Sequence, residues 1–228
     1  DFDADGQPEV GVADASTYAV YEVDGTVLWT RPVQDASSHA TGSAVFDFEA
    51  DGHPEVVYAD ETTLWILDGS TGAVRLQDGR HESRTLHELP TVVDVDGDGH
   101  AEIVVPNGGS HHEVSNWGLY VLGATDDSWV GGSSVWNQHA FSITNVNPDL
   151  SIPSSPQSNW PTHNNFRSGD LVSPEGGALP DAVLLAQGCA LECLMDRNVL
   201  VAGIGNSGMG TLGVATLVVR DDDGVELA

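Results

Sequence analysis

The stretch Asp94-Val95-Asp96-Gly97-Asp98-Gly99-His100-Ala101-Glu102-Ile103 has carboxylates at its first, third, fifth and ninth positions and a glycine at its sixth. The same order of residue types stands twice upstream. It recurs as Asp1-Phe2-Asp3-Ala4-Asp5-Gly6-Gln7-Pro8-Glu9-Val10 and as Asp47-Phe48-Glu49-Ala50-Asp51-Gly52-His53-Pro54-Glu55-Val56. The starts lie 46 and 47 residues apart. A lone Asp-x-Asp is an ordinary turn signal, whereas three copies at a fixed period mark an internal repeat, and the repeat decides the architecture.

Each acidic stretch runs into a short apolar segment (Val10–Ala13, Val56–Ala59, Ile103–Val105), and the second and third also follow one, at Ser43–Phe46 and Thr91–Val93. Such runs, bounded by turn residues, predict buried strands. Between the acidic stretches, Tyr18–Val23 leads through Asp24-Gly25 to Thr26–Thr30. Likewise Thr63–Leu67 leads through Asp68-Gly69-Ser70-Thr71-Gly72 to Ala73–Leu76. Turns rich in Asp and Gly between β-branched and aromatic residues predict hairpins. One unit is therefore strand, acidic loop, strand, turn, strand, turn, strand. Four strands in about 47 residues is the length of a propeller blade. No segment shows a helical period of useful length. The predicted fold class is all-β: a partial β-propeller of about three four-stranded blades over residues 1–123.

The acidic stretch carries its own chemistry. Carboxylates at alternating positions of a tight loop turn their oxygens to one centre, the glycine permits the sharp bend, and a backbone carbonyl at the seventh position can add an oxygen. A carboxylate at the ninth completes a shell of hard donors suited to calcium. Without a cation, carboxylates so crowded repel one another. The loops are not EF-hands, because the twelfth position holds Val12, Tyr58 or Val105 and no helices flank them.

On these residues, segment 1–123 resembles the FG-GAP or VCBS repeats of integrin alpha-chain propellers and bacterial surface proteins. The resemblance implies calcium in the loop between the first two strands of each blade, at about three sites. The implied ligands are Asp1, Asp3, Asp5, the Gln7 carbonyl and Glu9 in the first loop. In the second they are Asp47, Glu49, Asp51, the His53 carbonyl and Glu55. In the third they are Asp94, Asp96, Asp98, the His100 carbonyl and Glu102. The ninth position is Glu where the integrin pattern has Asp, and Glu49 is one methylene longer than its counterparts.

Residues 124–180 break the period. Six of the eleven prolines fall between Asn147 and Pro180, predicting an ordered but irregular connector. Trp136, His139 and Trp160 could form a sugar-stacking platform or could pack the connector against the last blade, and the second reading is preferred. From Asp181 strand patterns return at Ala182–Ala186, Val199–Ile204 and Ala215–Arg220. This segment, 181–228, resembles the start of a CARDB domain, an immunoglobulin-like β-sandwich of bacterial adhesion proteins, with Asn206-Ser207-Gly208 in place of that family's Asn-x-Gly. Asp221, Asp222 and Asp223 lack the loop spacing and read as a turn. Cys189 and Cys193 are too few for a disulfide framework. A small disulfide closing a loop is the preferred reading and free thiols the alternative, since no further metal ligands lie near them.

Composition narrows the function. The formal charge is −28, with seven basic residues, all Arg, against 35 Asp and Glu. Such a surface repels nucleic-acid phosphates and anionic lipid headgroups. It suits divalent cations or a salty medium, though a salty medium does not explain the regular spacing of the acids. No apolar run reaches the roughly 18 residues that a membrane helix needs. The chain opens inside a ligand motif and is read as a piece of a longer protein at the cell surface or outside the cell. Enzyme candidates (His39, His81, His87, His111, His112, Arg80, Arg84) are scattered and form no catalytic pattern. The expectation is a non-enzymatic, calcium-binding structural, adhesion or matrix protein. A glycan or surface protein is its expected partner beside calcium. Two alternatives are a polysaccharide-binding or polysaccharide-lyase propeller and a subunit of an extracellular filament that self-assembles through exposed sheet edges.

Overall fold

The structure is a computed structural model, and it describes residues 1–83, 87–108, 118–147, 149–171, 182–192 and 197–206. Among them there is no helix, and all sheets are antiparallel. The middle unit is the complete one. Strands β4 (Ser43–Phe46), β5 (Glu55–Ala59), β6 (Leu64–Asp68) and β7 (Val74–Asp78) form a four-stranded sheet in sequence order. The first sheet has three strands, β1 (Val10–Ala13), β2 (Thr17–Tyr21) and β3 (Val27–Pro32). The third sheet also has three, β8 (Thr91–Val93), β9 (Glu102–Asn107) and β10 (Gly118–Leu122). The expected four strands per unit are thus found once, and the described residues close neither a barrel nor a ring.

The middle sheet is buried on both faces, and period-2 alternation explains how. Val45, Val56, Tyr58, Trp65 and Leu67 face the first sheet and pack with Phe2, Tyr18, Val20 and Trp29. The intervening residues Ala44, Phe46, Val57, Ala59, Leu64 and Ile66 face the third, packing with Val92, Ile103 and Val105. Fully burying a side chain of this size contributes about 1.5–3 kcal/mol, so the two seams hold the three sheets together. Tyr18 and Tyr58 meet at 4.8 Å between ring centroids, and the Tyr18 hydroxyl lies 2.7 Å from Ser43 Oγ. The outer faces differ. Val10 and Val12 on β1, and Leu119 and Val121 on β10, are exposed.

The irregular segment after β10 is built into the sheets. The Val130 amide donates to the Phe48 carbonyl at 2.9 Å, and the Val130 carbonyl accepts from the Ala101 amide at 3.0 Å. Farther on, Phe166 exchanges both backbone hydrogen bonds with Val45, and Ser168 Oγ donates to the Val45 carbonyl at 2.7 Å. Ser168 also bridges in parallel to Val92, so residues 166–168 span the leading strands of the second and third sheets. Strands β11 (Ala182–Glu192) and β12 (Arg197–Asn206) pair as a long hairpin with one register shift. They are longer than the two predicted strands they contain. Cys189 pairs with Leu200 in this hairpin, while Cys193, the strand predicted at Ala215–Arg220 and Asp221–Asp223 lie outside the described residues.

Candidate metal-binding loops

The first and second acidic loops lead into β1 and β5, and the third lies between β8 and β9. Their hydrogen bonds repeat. The carboxylate at the first position receives the amide of the sixth: Gly6 to Asp1 at 3.0 Å, Gly52 to Asp47 at 2.7 Å, Gly99 to Asp94 at 3.2 Å. The carboxylate at the fifth position receives the amide of the seventh: Gln7 to Asp5 at 2.8 Å, and His53 to Asp51 and His100 to Asp98 at 2.9 Å. The glutamate at the ninth position receives the amide of the second: Phe2 to Glu9, Phe48 to Glu55, Val95 to Glu102. Three carboxylates at fixed spacing thus wind the same loop three times.

The backbone repeats as well. The glycine at the sixth position has φ of 88°, 87° and 91° in the three loops. The fourth position is also left-handed, with φ of 63° at Ala4, 53° at Ala50 and 79° at Gly97. An L-residue there costs roughly 1–2 kcal/mol. Sequence patterning misses this second left-handed turn, because alanine does not advertise it.

Carboxylate oxygens come within 4.8 Å of one another in three groups: Asp1, Asp3, Asp5 and Glu9; Asp47, Glu49 and Glu55; Asp94, Asp96 and Glu102. Each group could hold a metal ion. The structure therefore gathers the first, third and ninth positions in every loop and the fifth only in the first. Asp51 and Asp98 stand outside their groups; they hold the amides of His53 and His100, as Asp5, inside its group, holds that of Gln7. Gln7, His53 and His100 are placed by those amides against the loop. Glu49, despite its extra methylene, joins its group.

The electrostatics fit a cation. Burial pushes the Glu9, Glu55 and Glu102 carboxyls upward, and neighbouring carboxylates add to the effect. For Glu55, burial and then the charge of Glu49 carry it to about 8. In the first loop, Asp1 Oδ1 and Glu9 Oε1 are buried and have no hydrogen-bond partner. Buried carboxylate oxygens are costly unless something positive meets them, and a hard cation is the matching partner for such a donor set. The second loop differs: Arg75 Nη2 lies 3.6 Å from Glu55 Oε1 and 3.1 Å from Asp68 Oδ2. A recess of about 310 Å³, lined in part by Glu49, Glu55, Arg75 and Trp129, opens beside it.

The opposite ends of the strands carry a polar network that the loop pattern does not reveal. Asp60 is buried and accepts from the amides of Gln34, Thr62 and Thr63 and from Trp65 Nε1 at 2.8–3.1 Å. Asp35, also buried, accepts from Ser38 Oγ, the Thr41 amide and the Tyr58 hydroxyl. A sequence signal exists: Asp14, Asp60 and Asn107 recur at the period of the acidic loops.

The other sequence candidates are dispersed. His39 is exposed, with Nε2 3.0 Å from the Ala36 carbonyl. His81 is fully buried, and burial pushes its pKa down. Arg80 is tied to Asp78 and lies 5.2 Å from the Tyr120 ring centroid. His87 and His139 approach edge to face at 6.3 Å. Arg84, His111 and His112 lie outside the described residues. Trp136 packs on Phe141 and under Arg167, whereas Trp160 is exposed, so the contacts of the three platform candidates go to different neighbours.

Two comparisons with known proteins gave matches. A family model described as FG-GAP-like repeat matches residues 47–105, which run from the start of the second acidic loop to the strand after the third. A crystal structure of the biofilm matrix protein Bap1 of V. cholerae is similar at 29% identity and a TM-score of 0.63 over 73% of this chain. The matched region spans 28% of that protein. A comparison with curated proteins gave no match. No helix among the described residues is long and apolar enough to cross a membrane.

Proposed function

We propose that the chain is a calcium-binding, non-enzymatic repeat protein of the extracellular matrix or cell surface, in which calcium rigidifies the acidic loops of stacked propeller blades. The observation that carries this reading is the threefold repetition of one loop geometry, with two buried carboxylate oxygens in the first loop that meet no donor. The ligands are the carboxylates gathered in each loop, with Asp51, Asp98 and the carbonyls of Gln7, His53 and His100 completing the shells. Calcium tolerates seven or so oxygens in flexible geometry, which suits loops that mix Asp with Glu. The FG-GAP-like match and the likeness to a biofilm matrix protein support an adhesive or structural role outside the cell. The partner is a glycan or surface protein, and residues 181–228 are the start of a CARDB-like sandwich.

A glycan array probed with the full-length protein, with calcium and with chelator, tests the reading together with a lyase assay on the bound polysaccharides. Calcium-dependent retention without cleavage is the expected result. Cleavage of a bound polysaccharide refutes the non-enzymatic role.

A further inference from the structure

We propose that Arg75 sets the cation affinity of the second loop, acting as an internal counter-ion that competes with calcium for Glu55. The inference rests on the calcium reading above and adds which loop responds least to the ion.

The two oxygens of Glu55 are both engaged. One accepts the Phe48 amide at 3.2 Å, and the other faces the Arg75 guanidinium at 3.6 Å, with the Glu55 side chain only 3% exposed. The first loop differs: Glu9 Oε2 accepts the Phe2 amide and lies 3.8 Å from the Asp1 α-ammonium, while Glu9 Oε1 and Asp1 Oδ1 are buried without a hydrogen-bond partner. Among the described residues no arginine pairs with Glu9 or Glu102.

Sheet register explains why the arginine stands where it does. Between β6 and β7 the pairing shifts, so that Ile66 meets Leu76 and Leu67 meets Val74, leaving Arg75 without a cross-strand partner. Between β2 and β3 the same shift pairs Val20 with Trp29 and Tyr21 with Val27, leaving Leu28. A bulge re-aims the residue it leaves over. The same bulge thus carries an apolar side chain in the first sheet and a permanent cation in the second.

A guanidinium stays charged at every pH the fold survives. Glu55 would serve calcium as a hard oxygen donor, and the positive charge of Arg75 beside the same carboxylate would oppose the ion there. Arg75 has room to retreat: its side chain is 46% exposed, and Asp68, at 3.1 Å, holds it after Glu55 lets go. The acidic loop of the middle sheet, on which both neighbours pack, therefore has one arginine against its ninth-position glutamate before calcium arrives, whereas Glu9 and Glu102 have none among the described residues.

Calorimetric titration of metal-stripped full chain with calcium tests this, the second-loop site being identified as the one lost in Asp47→Ala. In the native protein that site is expected to be the weakest of the three loops. Arg75→Leu, which copies Leu28, is expected to tighten it about tenfold, as removal of one nearby, partly screened charge predicts. Arg75→Lys is expected to leave it within about twofold. The converse variant Leu28→Arg is expected to weaken the first loop, which keeps the test decisive if Arg75→Leu does not fold. Unchanged affinities in both Arg75→Leu and Leu28→Arg overturn the role of Arg75 while leaving the calcium reading intact. Absence of calcium uptake by the folded native chain overturns the calcium reading and this inference with it.

Discussion

Replacing Asp94 with alanine separates what the third loop owes to its own hydrogen bonds from what it owes to a cation. Asp94 accepts the Gly97 amide at 2.7 Å and the Gly99 amide at 3.2 Å. Two such bonds in an exposed loop contribute about 2 kcal/mol together. The same change removes a charge whose oxygen lies within 4.8 Å of those of Asp96 and Glu102. Relief of repulsion at that separation in water returns about 1 kcal/mol per neighbour. The two effects nearly cancel, so in chelator the variant should match the native protein to within about 1 kcal/mol. With calcium at a hundred times the dissociation constant, the native loop gains about 2.7 kcal/mol that the variant cannot. Urea unfolding of both proteins in the two buffers reads the difference directly. A loss of about 3 kcal/mol in calcium and almost none in chelator is the expected pair. Equal losses in both buffers refute the reasoning, because the carboxylate then serves only the backbone.

Three further outcomes follow from other parts of the molecule. Asp60→Ala should cost about 3–5 kcal/mol in urea unfolding, since it strands the buried donors of Thr63 and Trp65; a loss under about 1 kcal/mol contradicts that account. Although burial alone raises Asp68, hydrogen bonds from Thr71, Ser70 and Arg75 outweigh it and hold its carboxyl at about 2. Its folded value lies below the unfolded value of about 3.9, so its stabilisation is present above pH 4 or so and fades as pH falls through about 2. The stability gap between native protein and Asp68→Asn should close over that window, and a gap that is flat with pH refutes it. Residues 1–123 alone should associate in light scattering, because Val10, Val12, Leu119 and Val121 leave apolar faces on the outer sheets; a strictly monomeric, well-folded species at high concentration contradicts the stacked-blade architecture.

The loops and most of their flanking strands were legible because each is a local signal. Ser43–Phe46 and Thr91–Val93 stand where their apolar runs put them, and the carboxylates of the first, third and ninth loop positions come together in each loop, with the fifth joining only in the first. What escaped the sequence is non-local or silent. Phe166 and Ser168 reach Val45 across more than a hundred residues, and no periodicity marks that pairing. Ala4 and Ala50 adopt left-handed backbone because the neighbouring carboxylates claim the loop amides, a demand that the alanines themselves do not show. Arg75 is one arginine on a strand until the register shift turns it toward Glu55. Asp51 and Asp98 stand outside their groups although each holds the same seventh-position amide that Asp5 holds from within its own, a difference that the shared spacing does not show.

The central claim is that the acidic loops bind calcium, and equilibrium dialysis tests it most directly. The metal-stripped full chain is compared with a variant carrying Glu9→Gln, Glu55→Gln and Glu102→Gln, each protein shown to be folded. The account predicts saturable calcium uptake by the native chain, reduced in the variant by about three ions, one for each acidic loop. Equal uptake by the two folded proteins, or none by the native chain, contradicts it.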